Sequence, residues 1–200
     1  MTCAISACSR FDADAPTPEN LSHVLDQTLA DRGDICLAMF DWPIDLTEAE
    51  AGAGSRHAVQ LPVLEQLGIA HSTVVPVPKS QENPDGAIKR FELTEEGRKF
   101  YKPHAYTSRN GDQHSSDFCV AHLTREKITD VKVDKGDEHH PQAVVSYTYK
   151  IDAAPWMAND DAQRVFPMVA RVIKGAGGGL ELRQGFVRGD KGWVAQTGPV

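Results

Sequence analysis

From Val145 to Ile151 the chain alternates strictly. Val145, Tyr147, Tyr149 and Ile151 share one parity, and Ser146, Thr148 and Lys150 share the other. Successive side chains of a strand point to opposite faces, so this run predicts a strand with one buried face. One strand cannot bury that face alone. It needs neighbours and a cover, and the surrounding sequence supplies both. Residues 118–123 and 128–133 are further strand candidates. Residues 180–187 and 192–195 form a hairpin pattern that turns at Gly189-Asp190-Lys191. Residues 154–173 carry Trp156, Val165, Phe166, Val169 and Val172 in a helical region interrupted by Pro167 and ended by the glycines of 175–179. The expectation for 117–196 is therefore an antiparallel sheet with one covering helix.

The first half follows a different rhythm. Thr17-Pro18-Glu19 predicts a helix start: an N-cap, a proline where no donor is needed, then an acid in the first turn. Leu21, Val24, Leu25, Thr28 and Leu29 follow at helical spacing, and Gly33 is the stop. Residues 35–42 predict a strand apolar on both faces, ended by Pro43. Residues 48–55 predict an Ala- and Gly-rich loop. A helix over about 56–67 turns Val59, Val63, Leu64 and Leu67 inward, with Pro62 marking its start or a kink. Strands at 69–77 and 87–93 are joined through Asn83-Pro84-Asp85-Gly86, and Thr94 caps a short helix through Tyr101. The polar stretch 104–116 predicts a loop between two domains, 17–103 and 117–196.

Within the first half, Leu61-Pro62-Val63-Leu64-Glu65-Gln66-Leu67-Gly68-Ile69, the hairpin, and Arg90-Phe91-Glu92-Leu93-Thr94-Glu95-Glu96-Gly97 resemble part of a winged-helix domain. The resemblance covers roughly residues 55–101 and implies a winged-helix-like α+β half, with DNA regulation as one functional alternative. Charge weighs against that alternative. Residues 69–103 hold six basic side chains against five acidic ones, and the whole chain carries a net charge of −7. A phosphate backbone meets repulsion from such a surface unless a local basic patch overrides it, so no nucleic-acid partner is expected.

No apolar run approaches the roughly 18 residues that a membrane span needs. The amino terminus points to a membrane by another route. Ile5-Ser6-Ala7-Cys8 resembles a bacterial lipobox, in which the cysteine becomes the lipidated first residue of the mature protein. The polar stretch after it, with Asp12, Asp14, Pro16 and Pro18, is too poor in apolar side chains to fold by itself, which makes 1–16 a signal remnant and flexible tether. Ser9 after the cysteine implies the outer membrane, facing the periplasm. A signal peptide also needs a basic start and about 7–15 apolar residues, which the few residues before Cys8 do not provide. A cytoplasmic address therefore stays open as the alternative.

Of the remaining cysteines, Cys36 and Cys119 lie in apolar runs and are a candidate disulfide in an oxidising compartment. Two separate buried thiols are the other reading. Cys119, His122 and His114 invite comparison with a Cys-His nucleophile pair or a metal corner. On a regular strand, however, residues three apart face opposite ways. Asp137-Glu138-His139-His140 is the densest run of metal-type side chains and predicts a solvated turn. The glycines of 175–179 follow a helix instead of a strand, which excludes a phosphate loop. No nucleophile elbow, zinc-protease run or Walker loop is present. No catalytic residue, metal site or cofactor is assigned. Trp156 and Trp193, each beside a helix-breaking or turn residue, are the candidates for contact with a ligand or partner.

The phrases Val145-Ser146-Tyr147-Thr148-Tyr149-Lys150-Ile151, Ala154-Pro155-Trp156, Phe166-Pro167-Met168-Val169, Gly192-Trp193 and Gly33-Asp34-Ile35-Cys36 look like a recurring pattern in predicted lipoproteins and envelope proteins of proteobacteria. The resemblance covers most of residues 17–195 and carries no known activity. It implies a non-enzymatic envelope lipoprotein: a binding or structural module with an envelope protein or ligand as partner, in a family of unknown activity. An acidic immunity-type protein that neutralises a basic toxin is the alternative from another class.

Overall fold

A computed structural model describes residues 15–108, 110–134 and 141–196. The chain is α+β, with antiparallel strand pairing throughout the registers given below. It divides into two compact units, and the division does not follow the order of the chain. Among the described residues, one unit is 15–32, 124–134, 141–150 and 177–196; the other is 33–108, 110–123 and 151–176.

The first unit begins with helix α1 (Pro18–Arg32). Thr17 Oγ1 accepts from the Asn20 backbone N–H at 3.3 Å, so the expected cap forms. Leu21, Leu25 and Leu29, four apart, make the buried stripe. The helix packs against the terminal strand of this unit, in which Trp193 is buried. Of the alternating run 145–151, Val145, Tyr147 and Tyr149 are buried and Ile151 is half-buried, while Ser146, of the other parity, is buried as well.

The second unit opens with β1 (Asp34–Cys36). A three-stranded sheet follows from β2 (Ile44–Leu46), β3 (Ala70–Pro76) and β4 (Ala87–Leu93), in the order β2-β4-β3. Between β2 and β3 lie α2 (Glu48–Gly52) and α3 (Arg56–Gln66). Residues 48–55 are thus not the expected loop. Thr47 and Glu50 form a capping box, with each side chain satisfying a backbone N–H of the other's neighbourhood. Ser55 caps α3, which runs through Pro62. After β4, Thr94 caps α4 (Glu95–Arg98). Gly97 is required there because a Cβ would lie 2.0 Å from the Ile69 carbonyl oxygen.

Residues 104–116 correct a second expectation. They are not a domain-dividing loop but most of a hairpin between β5 (Tyr101–Thr107) and β6 (Gln113–Asp134). The strands expected at 118–123 and 128–133 merge into β6, which contributes to both units, as does β7 (Gln142–Ala153). The helical region after β7 is three pieces: a 3-10 turn (Pro155–Ala158), α5 (Asp160–Val165) capped by Asn159, and α6 (Pro167–Gly175) started by Pro167. These pieces belong to the second unit. There α5 packs on α3, and Gln60 Nε2 donates to the Val165 carbonyl at 3.2 Å. The expected pairing of this helix with the C-terminal sheet as a separate half is therefore overturned. The core of the second unit is centred on Leu61, Leu64, Phe91, Phe118 and Met157. Back in the first unit, β8 (Leu182–Gly189) pairs with β7, and β9 (Gly192–Ala195) closes the expected hairpin.

Candidate functional site

The densest reactive chemistry among the described residues lies where β1 and β5 meet β6 in the second unit. Asp34 pairs with His122, Ile35 with Ala121, and Cys36 with Cys119. One residue of β6, Val120, is skipped. This bulge reverses the parity argument from sequence. Asp34 and Cys36 are two apart on one strand and share a face, so their partners His122 and Cys119 share it too. The expectation that residues three apart must face opposite ways fails because the ladder contains one extra residue.

The geometry follows from that register. Cys36 Sγ is bonded to Cys119 Sγ at 2.03 Å, across a sequence separation of 83 residues. His122 Nδ1 lies 2.9 Å from Asp34 Oδ1, and the Lys102 ammonium is 3.9 Å from the same oxygen. A second irregularity, between Pro103 and Tyr106 of β5, sets His104 among these groups. A ring nitrogen of His104 and the two sulfurs lie within 4.8 Å of one another. Beside them is an open cavity of about 250 Å³, lined by Lys99, Lys102, Cys119, His122 and Asp152 among others.

The segment after Cys36 is not the strand that 35–42 predicts. Ala38 has φ +53°, and the Trp42–Pro43 bond is cis. After Leu37, whose N–H still donates to the Phe118 carbonyl at 2.8 Å, several of the segment's backbone groups are satisfied by side chains. The buried Asp117 carboxylate accepts from Ala38 N at 3.2 Å, Met39 N at 2.8 Å and Phe118 N at 2.6 Å. The Arg56 guanidinium donates to the carbonyls of Leu37 and Ala38, and Tyr101 Oη donates to that of Phe40. Phe40 then stacks over the cross-strand pair His114 (4.1 Å) and Tyr106 (5.1 Å), whose own rings are 6.4 Å apart, with His114 Nδ1 3.1 Å from Asp41. His114 therefore belongs to this aromatic stack.

Trp156 edges Phe100 at 6.0 Å and Phe166 at 6.1 Å, and it lies 6.2 Å from Phe118. Trp42 lies 6.0 Å from Phe118. The indole N–H groups of Trp42 and Trp156 are buried without a hydrogen-bond partner. Burying such a donor unpaired costs about 1–3 kcal/mol, so both are donors that an acceptor would satisfy. Trp193 belongs to the other unit. There it lines a cavity of about 190 Å³ with Val24, Thr28 and Arg32 of α1. Cys8 and Asp137-Glu138-His139-His140 lie outside the described residues.

Burial, then the neighbouring Arg56 charge, holds His57 below its ordinary value. A bidentate pair with Arg90, at 2.7 Å in each arm, holds Asp45 down. Hydrogen bonds from Ser72 hold Glu65 down. Sequence reasoning singled out Cys36 and Cys119 but missed Asp34, Lys102 and His104. No local pattern marks those three, because they are gathered only through strand pairing. Compared with known proteins, the chain significantly matches no family model, no curated protein and no solved structure.

Proposed function

We propose that this protein is a non-enzymatic binding or structural module of the bacterial cell envelope, tethered through a lipid on Cys8 and facing the periplasm. The observation that carries this reading is the Cys36–Cys119 bond between paired strands. Structural disulfides persist in oxidising compartments, whereas cytosolic thiols are kept reduced. A fold of this size does not need a disulfide to compensate for a small core, so the bond points to address more than to necessity. No helix among the described residues is long and apolar enough to cross a membrane, and attachment by a lipid would not require one.

The binding role follows from how the charges are used. The order β2-α2-α3-β3-β4 with sheet order β2-β4-β3 supports a winged-helix-like reading of this part of the chain. Four of its cations are already engaged, while Lys79 and Arg98 have no ion pair among the described residues. Arg90 is held by Asp45, Lys89 by Glu65 and Lys99 by Glu96, while Arg56 serves backbone carbonyls. Phosphates would have to compete for them, which favours a protein or small-molecule partner over nucleic acid. Trp156, with its unpartnered indole N–H, and Trp193 remain the ligand-contact candidates.

Two measurements on the protein from its native host test the reading. Fatty-acid labelling should disappear in Cys8→Ala, and acid-quenched alkylation should find Cys36 and Cys119 protected until reductant is added. A cytosolic, unlabelled protein with both thiols free would overturn it.

A further inference from the structure

We propose that Cys36, Cys119 and His104 form a redox-gated zinc site: closed while the sulfurs are bonded to each other, open to Zn²⁺ once they are reduced. The inference concerns the ligand chemistry of this cluster and does not depend on the cellular address.

Three ligand atoms from three strands already converge. The two sulfurs and a His104 ring nitrogen lie within 4.8 Å of one another. Two thiolates and an imidazole are a donor set that favours Zn²⁺ over the hard cations Mg²⁺ and Ca²⁺. Tetrahedral Zn²⁺ with Zn–S of about 2.3 Å and Zn–N of about 2.0 Å sets its ligand atoms roughly 3.3–3.8 Å apart. That separation is within reach of this cluster once the sulfurs are released. Strand pairing keeps Cys36 opposite Cys119 whether or not they are bonded. The two bulges aim the set: the one at Val120 puts Cys119 on the face of Cys36, and the one after Pro103 places His104 beside them. Cys36 and His104 are only half-buried, and the cavity of about 250 Å³ against Cys119 gives an ion a way in. With three protein ligands, the fourth position falls to water or a small anion.

Opening requires two electrons, supplied by a dithiol. One of its thiolates attacks a cysteine sulfur, the Cys36–Cys119 bond breaks, and the other cysteine leaves as a thiolate. The second thiol of the reductant then resolves the mixed disulfide. The reductant ends as its own disulfide, and Cys36 and Cys119 end as thiols after taking up two protons. Zinc binding then releases those protons to solvent as both sulfurs become thiolate ligands.

The test uses the full chain with Cys3→Ser and Cys8→Ser, so that only this thiol pair can respond. The protein is reduced with a phosphine, desalted without oxygen and titrated with Zn²⁺ against a chromophoric chelator. Co²⁺ serves as a spectroscopic probe, and circular dichroism verifies that the reduced chain is folded. Reduced protein should bind one Zn²⁺ per chain, and the Co²⁺ form should show thiolate charge-transfer bands. The oxidised protein should bind none, and His104→Ala should weaken binding at least tenfold. His104→Gln provides a second variant of similar size if the alanine form does not fold. Stoichiometric binding by the oxidised protein, no binding by the folded reduced protein, or unchanged affinity in both His104 variants would each overturn the proposal. None of these results bears on where the protein resides, so the envelope reading stands or falls separately.

Discussion

The β8–β9 hairpin with α1, and the segment 37–43, satisfy their backbones by opposite means. In the hairpin each strand is paired residue by residue, from Phe186 with Ala195 to Gly189 with Gly192, and α1 packs against it with Leu21, Leu25 and Leu29 buried. In 37–43, among the described residues, only the Leu37 N–H has a backbone partner, the Phe118 carbonyl, and beyond it Asp117, Arg56 and Tyr101, side chains distant in sequence, hold individual N–H and C=O groups. The first arrangement spreads its stability over many equivalent contacts and a packed face. The second concentrates it in a few polar groups, and it adjoins the cysteine pair. A regular ladder is tolerant and chemically silent. A side-chain-held segment is vulnerable at single residues, and it holds unusual backbone where a site needs it.

The largest expected effect would sharpen the packing side of this contrast. Trp193→Ala should cost roughly 3–5 kcal/mol in denaturant unfolding, because the indole is buried in the first unit. Near-native stability would mean that α1 and β9 do not depend on packing, and the contrast would break there. Next comes the covalent link. Reducing Cys36–Cys119, or replacing both by alanine, should remove about 2–4 kcal/mol and lower the Tm, since the bond closes a long loop. Asp117→Ala should cost about 2–3 kcal/mol by leaving three backbone donors unpaired, with faster hydrogen exchange at Ala38, Met39 and Phe118 and little change in β8–β9. Exchange that rose equally in β8–β9 would show that the two regions are not distinct.

The smallest effect is electrostatic and tests the second unit alone. The folded value of His57 is depressed, so the folded state prefers the neutral ring. Its contribution is complete above the ordinary value of 6.5 and is lost as pH falls from there through the folded value. Asp45 and Glu65 are depressed carboxylates, so theirs is present above the ordinary range near 4 and is lost only in stronger acid. A stability profile should therefore show a shallow loss below pH 6.5 that His57→Gln abolishes, followed by a second loss that it leaves in place. A single acid transition unaffected by His57→Gln would contradict this assignment.

Much of the fold was legible wherever its cause is local. Thr17, Pro18 and the leucine spacing define α1, the parity of Val145, Tyr147 and Tyr149 marks a buried face of β7, and Gly189 to Gly192 defines the last hairpin. The start of α2 was missed: Thr47 and Glu50 stand at capping-box spacing, but the Ala- and Gly-rich composition of 48–55 reads as a loop. The site was only half legible. Two cysteines can be named from sequence, but Asp34, Lys102 and His104 carry no local mark.

What the sequence determines by itself is therefore the set of periodic elements, their caps and the absence of a long apolar helix, since each depends on residues a turn or two apart. Only the tertiary structure decided that α5 packs with α3, that 104–116 is most of a hairpin, and that Cys119 and His122 share a face. The reason is physical. Parity along a strand counts residues, but the face a residue occupies is set by the partner ladder, and one bulged residue opposite β1 shifts every position beyond it.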